Sequence, residues 1–258
     1  MKTLVVVPTY NERENVGPLI EGLLALGDGL DVWVADDGSP DGTGDAVRAA
    51  MAVHPGRVGL IERKEKGGRG AAVIAAFKKG LLDPRRYELF FEMDADFSHH
   101  PSEIPKFLAR LQECDMVIGS RYVEGGGTSE WGLLRPLLSW LANKYIGLVA
   151  GVPIRDTTSG YRGYRRQVLE ETDFDRIKIK GYVVHGEMAY QAWINGFRLG
   201  EVPIHFKNRA RDASKLTSQE ITMALVNFAA LRFRYGFRPR PRVHRSEPAP
   251  VEQTASRP

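Results

Sequence analysis

Five short apolar runs punctuate the first half of the chain: Leu4–Val7, Val32–Ala35, Val58–Ile61, Leu89–Met93 and Met116–Gly119. Near-continuous apolar runs of this length predict strands buried on both faces. Stretches of helical length lie between them. The first of these repeats apolar side chains at Val16, Leu19, Ile20, Leu23 and Leu24, the spacing of a helix with one buried face. The alternation predicts an α/β fold with a mainly parallel central sheet flanked by helices. In such sheets ligands bind beyond the carboxyl ends of the strands. Polar clusters occupy those places: Thr9–Asn15 after the first run, Asp36–Asp41 after the second and Asp94–His100 after the fourth.

The second half is less regular. Gly125-Gly126-Gly127 predicts a mobile loop, Trp140–Val152 a helix, Arg155–Arg165 a polar loop and Phe197–Phe206 a strand. Ser218–Tyr235 reads as an amphipathic helix with Ile221, Leu225, Phe228, Ala229 and Arg232 at helical spacing. From Arg238 onward the chain is rich in Pro, Arg and Glu with little apolar content, the composition of a disordered tail. The expected organisation is one domain over residues 1–236 and a tail over 237–258. No internal repeat is visible.

Composition narrows the class. With 43% hydrophobic and 26% charged residues, the chain of 258 residues is an ordinary globular sequence rather than a collagen, a coiled coil or a disordered chain. A single cysteine, Cys114, excludes an internal disulfide and a cysteine zinc cluster, and fits a reducing cytosol. The formal charge of +4 is unevenly spread: His205–Arg245 holds 10 basic and 2 acidic residues, leaving −4 for the remainder. Such a basic segment favours a polyanionic partner. The apolar run Leu4–Val7 stops at Pro8, too short for a signal sequence. Leu133–Val152 is broken by Arg135, Pro136 and Lys144, so no run reaches the roughly 20 apolar residues of a membrane-spanning helix. Work on a lipid is therefore expected from the membrane surface.

The acidic clusters carry the candidate chemistry. In an extended chain alternate residues project to one side, so Asp94 and Asp96 can face one ion, and their hard oxygens suit Mg²⁺ or Mn²⁺. The competing reading is a cap for a helix starting near Pro101. His99 and His100, adjacent in sequence, do not face one metal and read as structural. Asp36–Thr43 has turn composition and reads either as a tight loop with Asp41 or Thr43 as a helix cap, or as a loop whose carboxylate holds a ribose or a base. In Pro8–Asn15, Tyr10 and Glu12 either begin a helix or stack on and hydrogen-bond a nucleobase. Gly67-Gly68-Arg69-Gly70 resembles a phosphate loop without its Lys-Ser/Thr ending, and reads as a flexible connection into a helix from Ala71.

Together these strings resemble a known family. Pro8-Thr9-Tyr10-Asn11-Glu12, Asp36-Asp37-Gly38-Ser39-Pro40-Asp41-Gly42-Thr43, Met93-Asp94-Ala95-Asp96-Phe97-Ser98-His99-His100-Pro101 and Gly119-Ser120-Arg121-Tyr122 occur in that order. Asp156-Thr157-Thr158-Ser159-Gly160-Tyr161-Arg162 and Glu201-Val202-Pro203-Ile204 follow. The set resembles family-2 glycosyltransferases of the GT-A fold, most closely polyprenol-phosphate (dolichol-phosphate) mannosyltransferases, from Thr3 to Leu231. The resemblance implies that Pro8, Tyr10, Glu12, Ala35 and Asp37 line the nucleotide end of GDP-mannose. It implies that Asp94, Ala95 and Asp96 form the metal and diphosphate segment, with Ser98 as a further metal ligand. Arg121, Arg209 and Lys215 then hold the donor, while Arg121, Arg135 and Ser139 contact the acceptor phosphate. Asp96, Arg121 and Arg135 are the implied catalytic set.

The implied reaction is an inverting, metal-dependent transfer of mannose to a polyprenyl phosphate at the cytoplasmic membrane face. The acceptor phosphate is ionised near neutral pH, so its attack needs no protein base; positioning and charge stabilisation remain. The alternative within the fold is another hexosyl donor, such as UDP-glucose. Two stretches depart from the family pattern. Leu134 and Pro136 flank Arg135 where relatives are more basic, and Gly181-Tyr182-Val183-Val184-His185-Gly186-Glu187 stands where relatives read Gly-Tyr-Val-Phe-Gln-like, with Glu187 keeping its place in the pattern. His185 reads as a structural substitution and Glu187 as a sugar contact or a partner for a basic residue. The helix end Arg232–Arg238 alternates arginine and aromatics, which suits either an anionic lipid surface or an ordinary helix packed on the core with a solvated basic end. A separate membrane-anchoring subunit is compatible with this picture. Nucleic acid is not an expected partner, because the acidic loops would repel it.

Overall fold

The computed structural model describes residues 1–63, 67–129, 134–177, 183–207 and 218–242; for 134–136, 183 and 218–225 it describes the backbone alone. The five apolar runs all form strands: β1 (Thr3–Thr9), β2 (Leu30–Asp36), β3 (Val58–Glu62), β4 (Leu89–Glu92) and β5 (Met116–Ser120). Between them run α1 (Arg13–Leu24), α2 (Thr43–Val53), α3 (Arg69–Leu81) and, after a single 3-10 turn at Pro101–Glu103, α4 (Ile104–Arg110). Next come β6 (Gly127–Ser129), α5 (Leu134–Ala150), β7 (Arg162–Arg165), α6 (Arg166–Glu170) and α7 (Val183–Ile194). The last elements are β8 (Leu199–Pro203), β9 (His205–Lys207) and α8 (Ser218–Tyr235).

Seven strands form one sheet in the order β3-β2-β1-β4-β7-β5-β8, and β6 pairs with β9 beside it. All neighbours in the large sheet are parallel except β7, which runs antiparallel to both β4 and β5. The period-two alternation of β1 divides the core. Leu4 and Val6 face a layer made by α3, α5, α7 and α8, while Val5 and Val7 face α1 and α4. The chain first builds β1, β2 and β3 in one direction, then crosses back to place β4 on the other side of β1. The crevice between the ends of β1 and β4 is the topological switch point at which such sheets bind ligands.

Five expectations change. The polar stretch Arg155–Arg165 does not stay a loop: its last four residues are β7, with Arg162 opposite Glu92 and Tyr164 opposite Phe90. A charged residue at the head of this strand conceals it from a reading based on apolar runs. Helix α3 starts at Arg69 rather than Ala71, and α5 at Leu134 rather than Trp140. Gly127, expected in a mobile loop, opens β6. The start of the expected tail is also held in place. The Arg240 amide donates to the Ile194 carbonyl at 2.9 Å, and Arg242 pairs with Glu171 at 2.7 Å while lying over the Phe197 ring. Residues 243–258 lie outside the described part. Among the described residues no helix is long and apolar enough to cross a membrane.

Strand β7 fits between its neighbours only with glycine at position 163. A Cβ there would lie 2.8 Å from Phe91 Cε1 and 3.2 Å from Leu111 Cδ1. Gly163→Ala is therefore expected to lower the unfolding free energy by about 1–3 kcal/mol, the scale of overpacking a filled core, as read by urea denaturation. Unchanged stability would mean that β7 is not wedged as described.

Candidate functional site

Three loops converge at the carboxyl ends of β1, β2 and β4, and each is ordered by carboxylates that accept hydrogen bonds from nearby backbone and side chains. In the loop after β2, Asp36 accepts from Thr9 Oγ1 at 2.8 Å and from the Ser39 amide at 2.8 Å. Asp41 accepts from the Thr43 amide at 2.9 Å and the Arg13 amide at 3.1 Å, serving the first turns of α1 and α2. Thr43 Oγ1 accepts in turn from the Glu12 amide at 3.0 Å. Asp36 and Asp41 are thus turn and cap residues that stitch the first two loops together. Asp37 differs. It is buried, pairs with Arg63 at 2.5 Å, and accepts the amides of Gly67 at 3.2 Å and Gly68 at 2.7 Å.

Of the residues expected around a nucleotide, Pro8 and Ala35 are buried at adjacent strand ends, in register with each other. Tyr10, two residues beyond Pro8, is 41% exposed. Glu12 is partly buried at the start of α1, where its carboxylate accepts from Asn15 Nδ2 at 2.7 Å.

After β4 the chain turns sharply through Phe97, whose φ of 59° is unusual for a bulky residue. That turn brings Ser98 back onto Asp96: its amide and hydroxyl donate to Asp96 Oδ1 at 3.0 and 2.6 Å. Asp94 faces elsewhere, accepting Arg69 Nε at 2.6 Å. Ala95 between them is buried. The three expected metal ligands thus divide into an Asp96–Ser98 pair and an Asp94 already facing a cation. The pair supplies hard oxygens, the donor chemistry that Mg²⁺ and Mn²⁺ prefer. Among the described residues no group of three or more His, Cys, Asp or Glu side chains is arranged to enclose a metal. His99 is structural, as expected. Its Nδ1 accepts the Asp94 amide at 3.0 Å, its ring stacks on Tyr161, and burial lowers its pKa to about 4, leaving it neutral at physiological pH. His100 caps the 3-10 turn by accepting the Ser102 amide.

On the other side of β4, Arg121 is locked to Asp156. Its Nε and Nη2 each reach a carboxylate oxygen at 2.7 Å, its own amide donates to the same group, and Nη2 also reaches Thr158 Oγ1 at 2.8 Å. Asn143 of α5 ties this loop down, accepting from the Thr157 amide and hydroxyl at 2.9 Å and donating to the Ser139 carbonyl at 3.0 Å. Glu201 of β8 receives the Arg155 and Asp156 amides at 3.0 Å each. Ser139 therefore lies one helical turn from the side chain that anchors the Arg121 loop. Arg135 lies one further turn back on α5, but its side chain is outside the described residues. Arg209 and Lys215 are outside them altogether.

Beneath the site lies a polar cluster that the motifs did not reveal. Arg162 is fully buried and donates to the carbonyls of Thr157, Ser159 and His185 at 2.6, 2.7 and 2.5 Å. Glu92, also fully buried, accepts Tyr164 Oη at 2.7 Å and lies 3.2 Å from His185 Nδ1. Burial pushes the Glu92 carboxyl up, but His185, Arg69 and Arg162 outweigh it and hold the group well below the usual carboxylate range. Burial lowers the His185 imidazole. Glu187 takes the second of its two expected roles, pairing with Arg234 at 2.7 Å and accepting Tyr235 Oη at 2.8 Å. Its sequence signal was that it keeps its place in the family pattern next to residues that depart from it.

Comparison with known proteins agrees with this geometry. Residues 4–173 match the model of the family described as "Glycosyl transferase family 2". The chain is 43% identical over 230 residues to polyprenol monophosphomannose synthase of Mycolicibacterium smegmatis, covering 88% of this chain and 86% of that protein. It is 41% identical over 227 residues to undecaprenyl-phosphate mannosyltransferase of Micrococcus luteus, covering 88% and 92%. Among solved structures, glucosyl-3-phosphoglycerate synthase of Mycobacterium tuberculosis, crystallised with Mn²⁺, UDP and phosphoglyceric acid, superposes with a TM-score of 0.64 at 17% identity, over 93% of this chain and 80% of that one. The sheet order, the acidic loops at its switch point and these matches lead to one conclusion: the chain has the GT-A fold and belongs to glycosyl transferase family 2.

Proposed function

We propose that the chain transfers mannose from GDP-mannose to a polyprenyl phosphate, with inversion at the anomeric carbon and with the help of Mg²⁺ or Mn²⁺. The observation that carries this reading is the extent of identity to two proteins named for mannose transfer to polyprenol carriers. The geometry supports it. Tyr10, Glu12 and Asp37 lie on the loops after β1 and β2, where they would line the nucleoside, and the Asp94–Ser98 turn lies after β4, where it would meet the diphosphate. Asp96 and Ser98 would hold the metal, which as a Lewis acid would supply charge stabilisation to the departing diphosphate.

The chain's own residues do the positioning. Bidentate pairing fixes Arg121 through Asp156, so its guanidinium presents a defined edge instead of a mobile charge. Ser139, Arg135 and the Asn143 anchor step along α5 four residues apart, so the helix can offer the acceptor phosphate more than one contact on one face. Arg209 and Lys215 fit the role of closing over the donor on sequence grounds alone. No general base is required, since the acceptor phosphate brings its own charge.

The lipid acceptor calls for a membrane surface, and the cytoplasmic face is the one proposed. Helix α5 exposes Leu137, Leu141 and Leu148 along one side, with Leu138 and Trp140 flanking them; α8 exposes Val226 and Phe233, followed by Phe237. Arg232 and Arg234, expected to meet lipid headgroups, turn inward instead: Arg232 donates to the Ala150 carbonyl and Arg234 pairs with buried Glu187. Apolar insertion, more than charge, therefore supports the peripheral contact.

Two outcomes are expected. Purified protein supplied with polyprenyl phosphate, Mg²⁺ or Mn²⁺ and a panel of nucleotide sugars will move label into lipid from GDP-mannose. Asp96→Asn will lower kcat by roughly 100-fold or more, the scale of losing one contact to a developing charge. Label from UDP-glucose alone would keep the enzyme class and overturn the donor. In a vesicle sedimentation assay, replacing Phe233 and Phe237 together with Ser will weaken binding roughly tenfold or more, given about 1.5–3 kcal/mol for a fully buried Phe. Binding that is unaffected would remove α8 from the membrane surface.

A further inference from the structure

The Gly67-Gly68-Arg69-Gly70 string has no role in the scheme above, yet it touches both acidic loops. Gly67 and Gly68 give their amides to Asp37 at the end of β2. The next residue, Arg69, gives Nε to Asp94 beyond the end of β4, at 2.6 Å. Gly68 has a φ of 84°, a conformation that glycine adopts without strain and that turns the chain into α3 at this point. Two consecutive residues thus span the switch point and fix the carboxylates on its two sides.

The far side of the Arg69 guanidinium is equally constrained. Nη2 donates to the Gly160 carbonyl at 3.1 Å, Nη1 contacts His185 Nε2 and lies 3.8 Å from Glu92 Oε2. An arginine N–H on Nε2 requires that nitrogen to be an acceptor, so the His185 proton sits on Nδ1, 3.2 Å from Glu92. Gly160 leaves the space: a Cβ there would lie 2.5 Å from Arg69 Nη2. His185 stands where the family pattern leads one to expect glutamine, so the feature belongs to this chain's own sequence.

We infer that Arg69 is a positioning residue: seated on Gly160, His185 and Glu92, it fixes Asp94 in the orientation that the nucleoside diphosphate site requires. The inference rests on the proposed function for the identity of the ligand, and on geometry for the contact itself. Groups that orient an acidic residue of a metal-diphosphate site contribute about 10–100-fold to affinity. An arginine fork fixes an angle that a lysine does not.

The test is a double-mutant cycle read by calorimetry of GDP binding in the presence of Mn²⁺, which stays measurable when turnover is too slow to follow. Arg69→Gln and Asp94→Ala are each expected to weaken binding by about tenfold, the lower end of that range. The double variant is expected to bind no worse than Asp94→Ala alone, within about twofold, since Arg69 acts through Asp94. Losses that multiply would assign Arg69 an independent or merely structural role and overturn the inference, as would unchanged binding by Arg69→Gln. If Arg69→Gln gives no cooperative thermal transition, Gly160→Ala replaces it in the cycle. That change displaces only the flexible end of the Arg69 side chain, and the same non-additivity is expected. Wild-type protein that binds GDP with Mn²⁺ and shows the cycle, yet moves no mannose, would overturn the proposed function and leave this inference standing.

Discussion

The constraint on which the rest depends is the burial of Arg162. A guanidinium with no exposure must find acceptors for its donors or destabilise the fold by several kcal/mol. Here the acceptors are the carbonyls of Thr157, Ser159 and His185, with the Glu92 carboxylate opposite across the β4–β7 pairing. Satisfying them dictates the path of residues 156–160. That path presents Asp156 and Thr158 to Arg121, Thr157 to Asn143 and Gly160 to Arg69. The floor of the site is thus a by-product of neutralising one buried charge.

The rim follows a different logic. Its carboxylates are occupied by short local contacts: Asp36 and Asp41 by loop amides and hydroxyls, Asp37 by the Gly67–Gly68 amides, Asp96 by Ser98. Preformed contacts of this kind lower the entropic cost of ordering the loops around a substrate. They also lower the cost of holding several negative charges close together, because each is met by donors before any ligand arrives.

How much of this was legible in the sequence depended on whether the signal was local. Strands β1–β5 declared themselves because each is a run of apolar residues buried on both faces, and α8 because its residues recur at helical spacing. The acidic loops were legible because turn chemistry and metal chemistry use the same short strings. Strand β7 was not, since its first residue, Arg162, is charged and is stabilised only by partners 23 residues ahead in His185 and 70 residues back in Glu92. Arg69 was hidden for the same reason: a glycine-flanked arginine reads as a loop until Asp94, Gly160 and His185 are brought around it. The inward turn of Arg232 and Arg234 likewise depends on Ala150 and Glu187, which no periodicity along α8 encodes.

The position of β7 also bears on how the chain is made. In the sheet it lies between β4 and β5, but in sequence it follows both. As the polypeptide leaves the ribosome, β1 to β4 can assemble while β4 still presents an unpaired edge and Glu92 still lacks Arg162, Tyr164 and His185. β5 has no strand of this sheet to join until residue 165 has emerged, and β8, which pairs with β5, follows later still. Vectorial synthesis therefore leaves an open strand edge for more than 70 residues after β4 is complete, the kind of edge that captures other chains. A nascent fragment ending before β7 would offer that edge to chaperones, and the seven-stranded sheet can be completed only after β7 and then β8 have been made.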